Sequence, residues 1–441
     1  MIDLRNPDWS GACVKVKDAS SLTPYEYGVE YGSPARGLWN IVHTGMLIPE
    51  SHQIFVCAQG CLRGVVLTAA EMGAMDRFST VAVCENNVLD GDMESLIIDG
   101  VSDILGKLPK LPKAVLIFTS CIHHFIGCDL DYVYAQLRGK FPDVEFSDCY
   151  MNPIMRKTKT APDPKMREQL YSFLKKRPFD KKSVNIIGNN YPTAESGDFV
   201  KMLRTGGFDV KDICSCSTWE EYQQMASSCL NVTYHPAAVV AGKTLEQRLG
   251  QKHLHIPLSY DYDEIKAGLG RLAEALGLEL PDLPKLEARA EEELAKTAEL
   301  LSGIPVAIDY TSTPRPLGLA KLLLTHGFNV VSVYGDTFIA EEQPAFDWLK
   351  ANAGELDLFA TIHPKMGVLP RAIHARPQKL LAIGQKAAYF TNTNYLVNML
   401  EGGGLYGFDG IMRLCGLIRD GFLHEKDTKS IIQVKGWGCC C

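Results

Sequence analysis

The sequence predicts an α/β protein built from several Rossmann-like units with parallel sheets. Three observations lead there. Short apolar strands alternate with amphipathic helices, the pattern of parallel layers. A strand, a polar loop with proline, a helix, a glycine and a second strand follow one another twice in the second half. The 441 residues exceed what one hydrophobic core usually supports, so roughly three domains are expected. Apolar residues at 46% and charged residues at 22% exclude a disordered chain.

Taken in order, the first strands are Ile54-Phe-Val-Cys57, Thr80-Val-Ala-Val-Cys84, Lys113-Ala-Val-Leu-Ile-Phe-Thr-Ser120 and Val144-Glu-Phe-Ser147. Arg63–Met75, Asp92–Leu105 and Asp129–Arg138 are the helices expected between them. The repeated units begin at Ser183 and Ile304. Each expected helix ends at a glycine, Gly207 or Gly327, followed by Phe and a second strand. Glycine closes helices because it takes a left-handed backbone at low cost. A charged helix, Lys285–Leu301, separates these units, and Tyr406–Phe422 reads as one more. Gly402-Gly403-Gly404 lacks the spacing of a phosphate loop and reads as a flexible connection. The tail ends Gly-Trp-Gly-Cys439-Cys440-Cys441; it either caps a metal site or frays.

The net charge is −7 and no long basic run or RNA-binding motif occurs, so nucleic acid is not an expected partner. No apolar stretch is long enough to span a bilayer. The N-terminus lacks the apolar segment of a signal peptide, which places the protein in the cytoplasm.

Fourteen cysteines is an unusual number for a chain in a reducing compartment. Disulfides are disfavoured there, leaving metal or redox work or simple burial. Cys57 and Cys61 follow one strand and open a helix. Cys84 ends the next strand, Cys121 follows Ser120, and Cys128 comes seven residues later. In a parallel sheet the strand C-termini gather on one edge, so these thiols can converge. Thiolates at strand ends and helix starts suit iron–sulfur ligation. The C-x3-C spacing is not that of a zinc ribbon. Cys214, Cys216 and Cys229 read as core packing.

Several segments together resemble the nitrogenase component 1 family. Phe-Thr-Ser-Cys121-Ile-His-His-Phe-Ile-Gly-Cys128-Asp129-Leu is similar to the segment in which a cluster-ligating cysteine precedes an Ile-Gly-Asp-Asp helix start. Cys84-Glu-Asn-Asn-Val-Leu-Asp-Gly91 resembles the family's Glu-Lys-Asp-Val-Val-Phe-Gly-Gly, and Gln59-Gly60-Cys61 its His-Gly-x-x-Gly-Cys. Leu405-Tyr-Gly-Phe-Asp-Gly410 resembles the segment that opens a late helix. The motifs keep the family's order, and with the repeated units the resemblance covers nearly the whole chain.

The resemblance implies three Rossmann-like domains around a central cleft: 1–180 completed by 405–441, then 181–302, then 303–404. It implies an iron–sulfur cluster held where this chain meets an identical or homologous subunit. It also implies electrons delivered by an ATP-hydrolysing iron protein, since no Walker sequence is present here. Cys61 and Cys121 match two cluster cysteines. Where a first is expected the sequence reads Gly32-Ser33-Pro34-Ala35-Arg36, so Cys57 is expected to substitute as the third ligand, with Cys128, Cys84 or a partner chain supplementing the three. That departure favours a [4Fe-4S] cluster over a P-cluster.

His235 falls where a nitrogenase cysteine would bind the iron–molybdenum cofactor. The stretch Asn394-Tyr-Leu-Val397 lacks the second ligand, a histidine, so dinitrogen reduction is not expected. His235 is either a metal ligand and proton donor or a structural histidine. His123 could donate to cluster sulfur. Arg315, at a helix start, could bind an anionic cofactor, and the second group in the cleft is a metallocofactor or a tetrapyrrole. The expected function is a nitrogenase-like reductase component. A cofactor-assembly scaffold and a two-lobed metal-binding protein are the alternatives.

Overall fold

The computed structural model describes residues 10–25, 30, 32, 33, 35, 40–152, 161–368 and 379–432. Pro34, Arg36 and the Cys439–Cys441 tail lie outside these residues. The strands are β1 (Cys13–Lys15), β2 (Ser51–Ala58), β3 (Phe78–Val83), β4 (Ala114–Ser120), β5 (Glu145–Met151), β6 (Asp180–Ile186) and β7 (Asp209–Asp212). They continue with β8 (Ser228–Thr233), β9 (Lys252–His255), β10 (Pro305–Asp309), β11 (Asn329–Tyr334), β12 (Asp357–Phe359), β13 (Leu381–Ile383) and β14 (Leu396–Val397). They form three sheets, ordered β3-β2-β4-β5, β7-β6-β8-β9 and β1-β12-β11-β10-β13-β14. Every pairing is parallel except that of β1 with β12. The expected α/β class with parallel sheets is what the chain adopts.

The chain divides into two compact units. One comprises the described parts of residues 38–192 and 208–255, the other those of residues 1–37, 193–207 and 256–435. The first unit holds the first two sheets. Its strand β4 is buried at all seven positions, as a parallel strand covered on both faces must be. Phe55, Leu116 and Phe118 point to one face, while Ile54, Val56, Val115 and Ile117 point to the other. The Phe55 and Phe118 rings stack at 4.2 Å. The first face continues into Ile187, Tyr222, Leu245 and Leu249, so one apolar core serves both sheets.

Most elements stand where the sequence places them, with shifted ends. The helix expected over 63–75 is Gln59–Glu71. It starts as soon as β2 ends and has no capping side chain, so no start signal marks it. The helix Cys121–Ile126 was not foreseen; six residues ending at left-handed Gly127 show no periodicity to read.

In the second unit, β10, the helix Pro316–Thr325, Gly327 and β11 follow the repeat as read, and the corresponding Gly207 is also left-handed. The helices Leu283–Leu300 and Gly407–Leu423 belong here too. So does β1, through its pairing with β12, whereas the sequence grouped both it and the described residues from 405 on with the first sheet. Gly402-Gly403-Gly404 is a built turn rather than a flexible connection. All three residues are left-handed, and the Glu401 and Gly402 amides donate to the Thr311 and Ser312 carbonyls at 2.8 and 2.7 Å.

The exits of β10, β11 and β13 carry a buried charge cluster. Lys386 donates to the Ser33 hydroxyl at 2.6 Å and is flanked by Asp309 and Asp336. Asp309 accepts from the Thr311 and Ala387 amides at 2.7 Å each. Burial pushes the Lys386 ammonium down to about 8 and both carboxyls up. Gly384 makes room for this: its φ is +107°, and a Cβ there would meet the Asp309 carboxylate at 2.3 Å. Gly384→Ala is therefore expected to cost roughly 2–4 kcal/mol in urea unfolding. Gly139→Ala, on an exposed helix position with open space around it, should be neutral or slightly stabilising.

Candidate metal-cluster site

Three thiol-bearing positions stand at the exits of three neighbouring strands. The β2–β3 ladder closes at Ala58 opposite Val83, and the β2–β4 ladder at Val56 opposite Thr119. Cys84 follows β3, Cys121 follows β4, and Cys61 is the third residue of the helix that leaves β2 between them. The two flanking positions are two strand spacings apart, on the order of 10 Å. Cys84 is exposed and caps the short helix Glu85–Asp90; Cys61 and Cys121 are half-buried. All eleven described cysteines are thiols rather than disulfides.

The remaining candidates separate by face. Cys57 is fully buried on the face of Phe55 and Phe118, and Cys61 packs against that same cluster. Cys128 packs against the opposite cluster, with Ile122 and Leu130. Burial pushes the Cys128 thiol up to about 12, with the Glu94 carboxylate beside it adding to the rise. Glu94 also accepts from the Asp129 amide at 2.7 Å. Cys128 is thus part of a local tie between two helices, away from Cys57 and Cys61. Among the described residues, no three His, Cys, Asp or Glu side chains come together as a site for a metal ion.

His123 is 2% exposed. Its Nδ1 accepts from the Ser120 amide at 3.1 Å, which puts the ring proton on Nε2. Burial holds the imidazole below its ordinary pKa, hence neutral. No acceptor for Nε2 exists among the described residues. A buried donor of this kind two residues from Cys121 fits a sulfide or thiolate acceptor at the rim. The short helices that follow Cys84 and Cys121 each expose apolar side chains: Leu89 is 81% exposed and Phe125 71%, with Val88 and Ile126 beside them in sequence.

Other expectations fare differently. Ser33 accepts from Lys386 and belongs to the unit of the third sheet, so the position expected to supply a first cluster ligand is already engaged. His235 is buried and its Nδ1 accepts from the Ala237 amide at 3.2 Å, capping the turn after β8. The Cys214, Cys216 and Cys229 thiols donate to the carbonyls of Asn189, Asp212 and Ser183.

At Arg315 the anion expected at the helix start is the chain's own Glu342. Its carboxylate accepts from the Leu317 and Gly318 amides at 3.0 and 2.7 Å, while Arg315 pairs with Glu264 at 3.1 Å. Nothing in the Arg315 segment reveals Glu342, which lies 25 residues on from Leu317.

Residues 42–416 match the family model described as nitrogenase component 1 type oxidoreductase, and the chain belongs to that family. Two solved structures described as nitrogenase Cp1, at pH 6.5 and at pH 5, share its fold. The first aligns with a TM-score of 0.65 at 16% identity over 92% of this chain and 96% of that one. The second aligns with a TM-score of 0.57 at 13% identity over 94% of each. No curated protein matches the sequence. Members of the family bind iron–sulfur clusters, work with an iron protein and form multimers. No helix among the described residues is long and apolar enough to cross a membrane.

Burial raises the Glu342 carboxyl from 4.5 to about 7. The folded chain therefore holds a proton there that the unfolded chain releases, and this contribution to stability is lost as pH rises through about 7. Urea unfolding between pH 5 and 8 should show this as a slope of at most roughly 1.4 kcal/mol per pH unit. Glu342→Gln should flatten that slope relative to the wild type.

Proposed function

We propose that this chain is the cluster-bearing component of a nitrogenase-like reductase. The observation that supports the reading best is the row of thiol-bearing positions at the exits of neighbouring strands. Cys61 and Cys121 would hold an iron–sulfur cluster, a [4Fe-4S] cluster being the better fit to so few thiols. Cys84 and the buried Cys57 stand near enough in the chain order to supplement them. Thiols from an identical or homologous subunit would complete the set. Cys128 is assigned to packing.

When bound, such a cluster accepts and passes single electrons at low potential. The chain's own groups then have distinct tasks. The His123 Nε2–H would be available to donate to a cluster or thiolate sulfur, which would stabilise the more negative state. His235, with Nδ1 engaged and its proton on Nε2, would offer a hydrogen bond to a substrate or second metal group. Electrons would come from an ATP-dependent iron protein in the cytoplasm, and nucleic acid and membrane have no part. We do not assign dinitrogen reduction, because the Asn394–Val397 stretch supplies no second cofactor histidine. A scaffold for metallocofactor assembly is the second reading, favoured by Glu342 filling the anion site at Arg315.

Anaerobic purification with iron and sulfide analysis and EPR tests the assignment. Cys61→Ala and Cys121→Ala should each lose most of the iron, while Cys128→Ala keeps it. Full iron retention in both of the first two variants would remove them as ligands. Turnover with an iron protein, ATP and dithionite separates a reductase from a scaffold, which would hold a precursor cluster without turnover.

A further inference from the structure

We infer that Glu94 is a positioning residue for Cys121: its carboxylate anchors the turn that follows the short helix beginning at this thiol. The inference rests on the reading of Cys121 as a cluster ligand. The helix Cys121–Ile126 has six residues, where a helix needs about 12–15 to hold by itself in water. Little of it is buried. His123 is the buried residue of the six, while Phe125 is 71% exposed and Ile126 42%. Packing therefore does little to fix the helix, and its position depends on hydrogen bonds at its two ends.

At the near end the Ser120 amide donates to His123 Nδ1 at 3.1 Å, just where β4 stops. At the far end Gly127 is left-handed, and the Cys128 amide donates back to the His123 carbonyl at 3.0 Å. Both bonds are local. Glu94 supplies a tie from outside, from the first turn of the helix Met93–Lys107. Its carboxylate accepts from the Asp129 amide at 2.7 Å, 35 residues on, and the Cys128 thiol lies beside it as a second donor. Such a bond to a carboxylate is charge-assisted and stronger than a neutral one. Asp129 in turn caps the helix Leu130–Lys140, its side chain accepting from the Tyr132 amide at 3.0 Å. The two longer helices are firm supports: Ile97, Val101, Val133 and Leu137 share one apolar cluster. One carboxylate thus joins the starts of both, and the Cys121 helix hangs from that joint through Cys128 and His123. Truncating Glu94 leaves the supports standing and releases the turn, which misplaces the thiol.

Hydrogen exchange on the iron-free full chain tests the tie without any cluster. Glu94→Ala should speed exchange of the amides from Cys121 to Asp129 at least about tenfold and leave those of β4 unchanged. Glu94→Gln keeps an acceptor oxygen and should restore most of the protection. The iron-loaded chain gives the second readout. Its EPR signal should shift or broaden in Glu94→Ala, at unchanged urea unfolding, and return toward wild type in Glu94→Gln. Wild-type exchange rates in Glu94→Ala, or a wild-type EPR signal in that variant, would overturn the inference. A wild-type chain that carries no iron would instead sink the reading of Cys121 as a ligand, and with it the role toward a cluster, whatever the exchange rates show of the tie.

Discussion

Parallel pairing is the constraint on which the rest of this molecule depends. Strands that run the same way must all leave the sheet at the same edge, and each return connection carries the chain away again as a helix. The order β3-β2-β4 brings Cys84, Cys61 and Cys121, spread over 61 positions of sequence, to consecutive exits. A change in strand order would scatter them, whatever the local sequence around each thiol. The same rule places Asp336, Asp309 and Lys386 at consecutive exits of β11, β10 and β13. One edge gathers thiols, and another gathers a buried ammonium with two carboxylates.

The fold class was legible because its signal is periodic. Strands β4 and β10 are mostly apolar runs, β2 carries one over Ile54–Ala58, and the repeat at Ser183 and Ile304 carries its own left-handed glycines. The row of thiols was legible for the same reason, since strand exits can be read once the strands are. Which face a residue takes was not. Cys57 and Cys61 fall on the opposite side of the sheet from Cys128, and that depends on a register that one residue of slip reverses. Partners distant in sequence were beyond reach as well. The Thr313–Gly318 segment has every mark of an anion site, and only the folded chain reveals that Glu342 already occupies it.

The two histidine environments in the first unit illustrate how tautomers follow from backbone geometry. His123 and His235 each give Nδ1 to a nearby amide, at 3.1 and 3.2 Å. Each ring therefore keeps its proton on Nε2 and is a hydrogen-bond donor there. Such rings suit roles toward anionic sulfur or a reducible substrate better than ligation through Nε2.

The exposed Leu89 and Phe125 side chains carry a consequence for handling the protein. A chain in solution keeps these apolar side chains in contact with water, each on a short helix that begins at an exposed or half-buried thiol. Self-association through the side chains and oxidation of the thiols would then act on the same two stretches of chain.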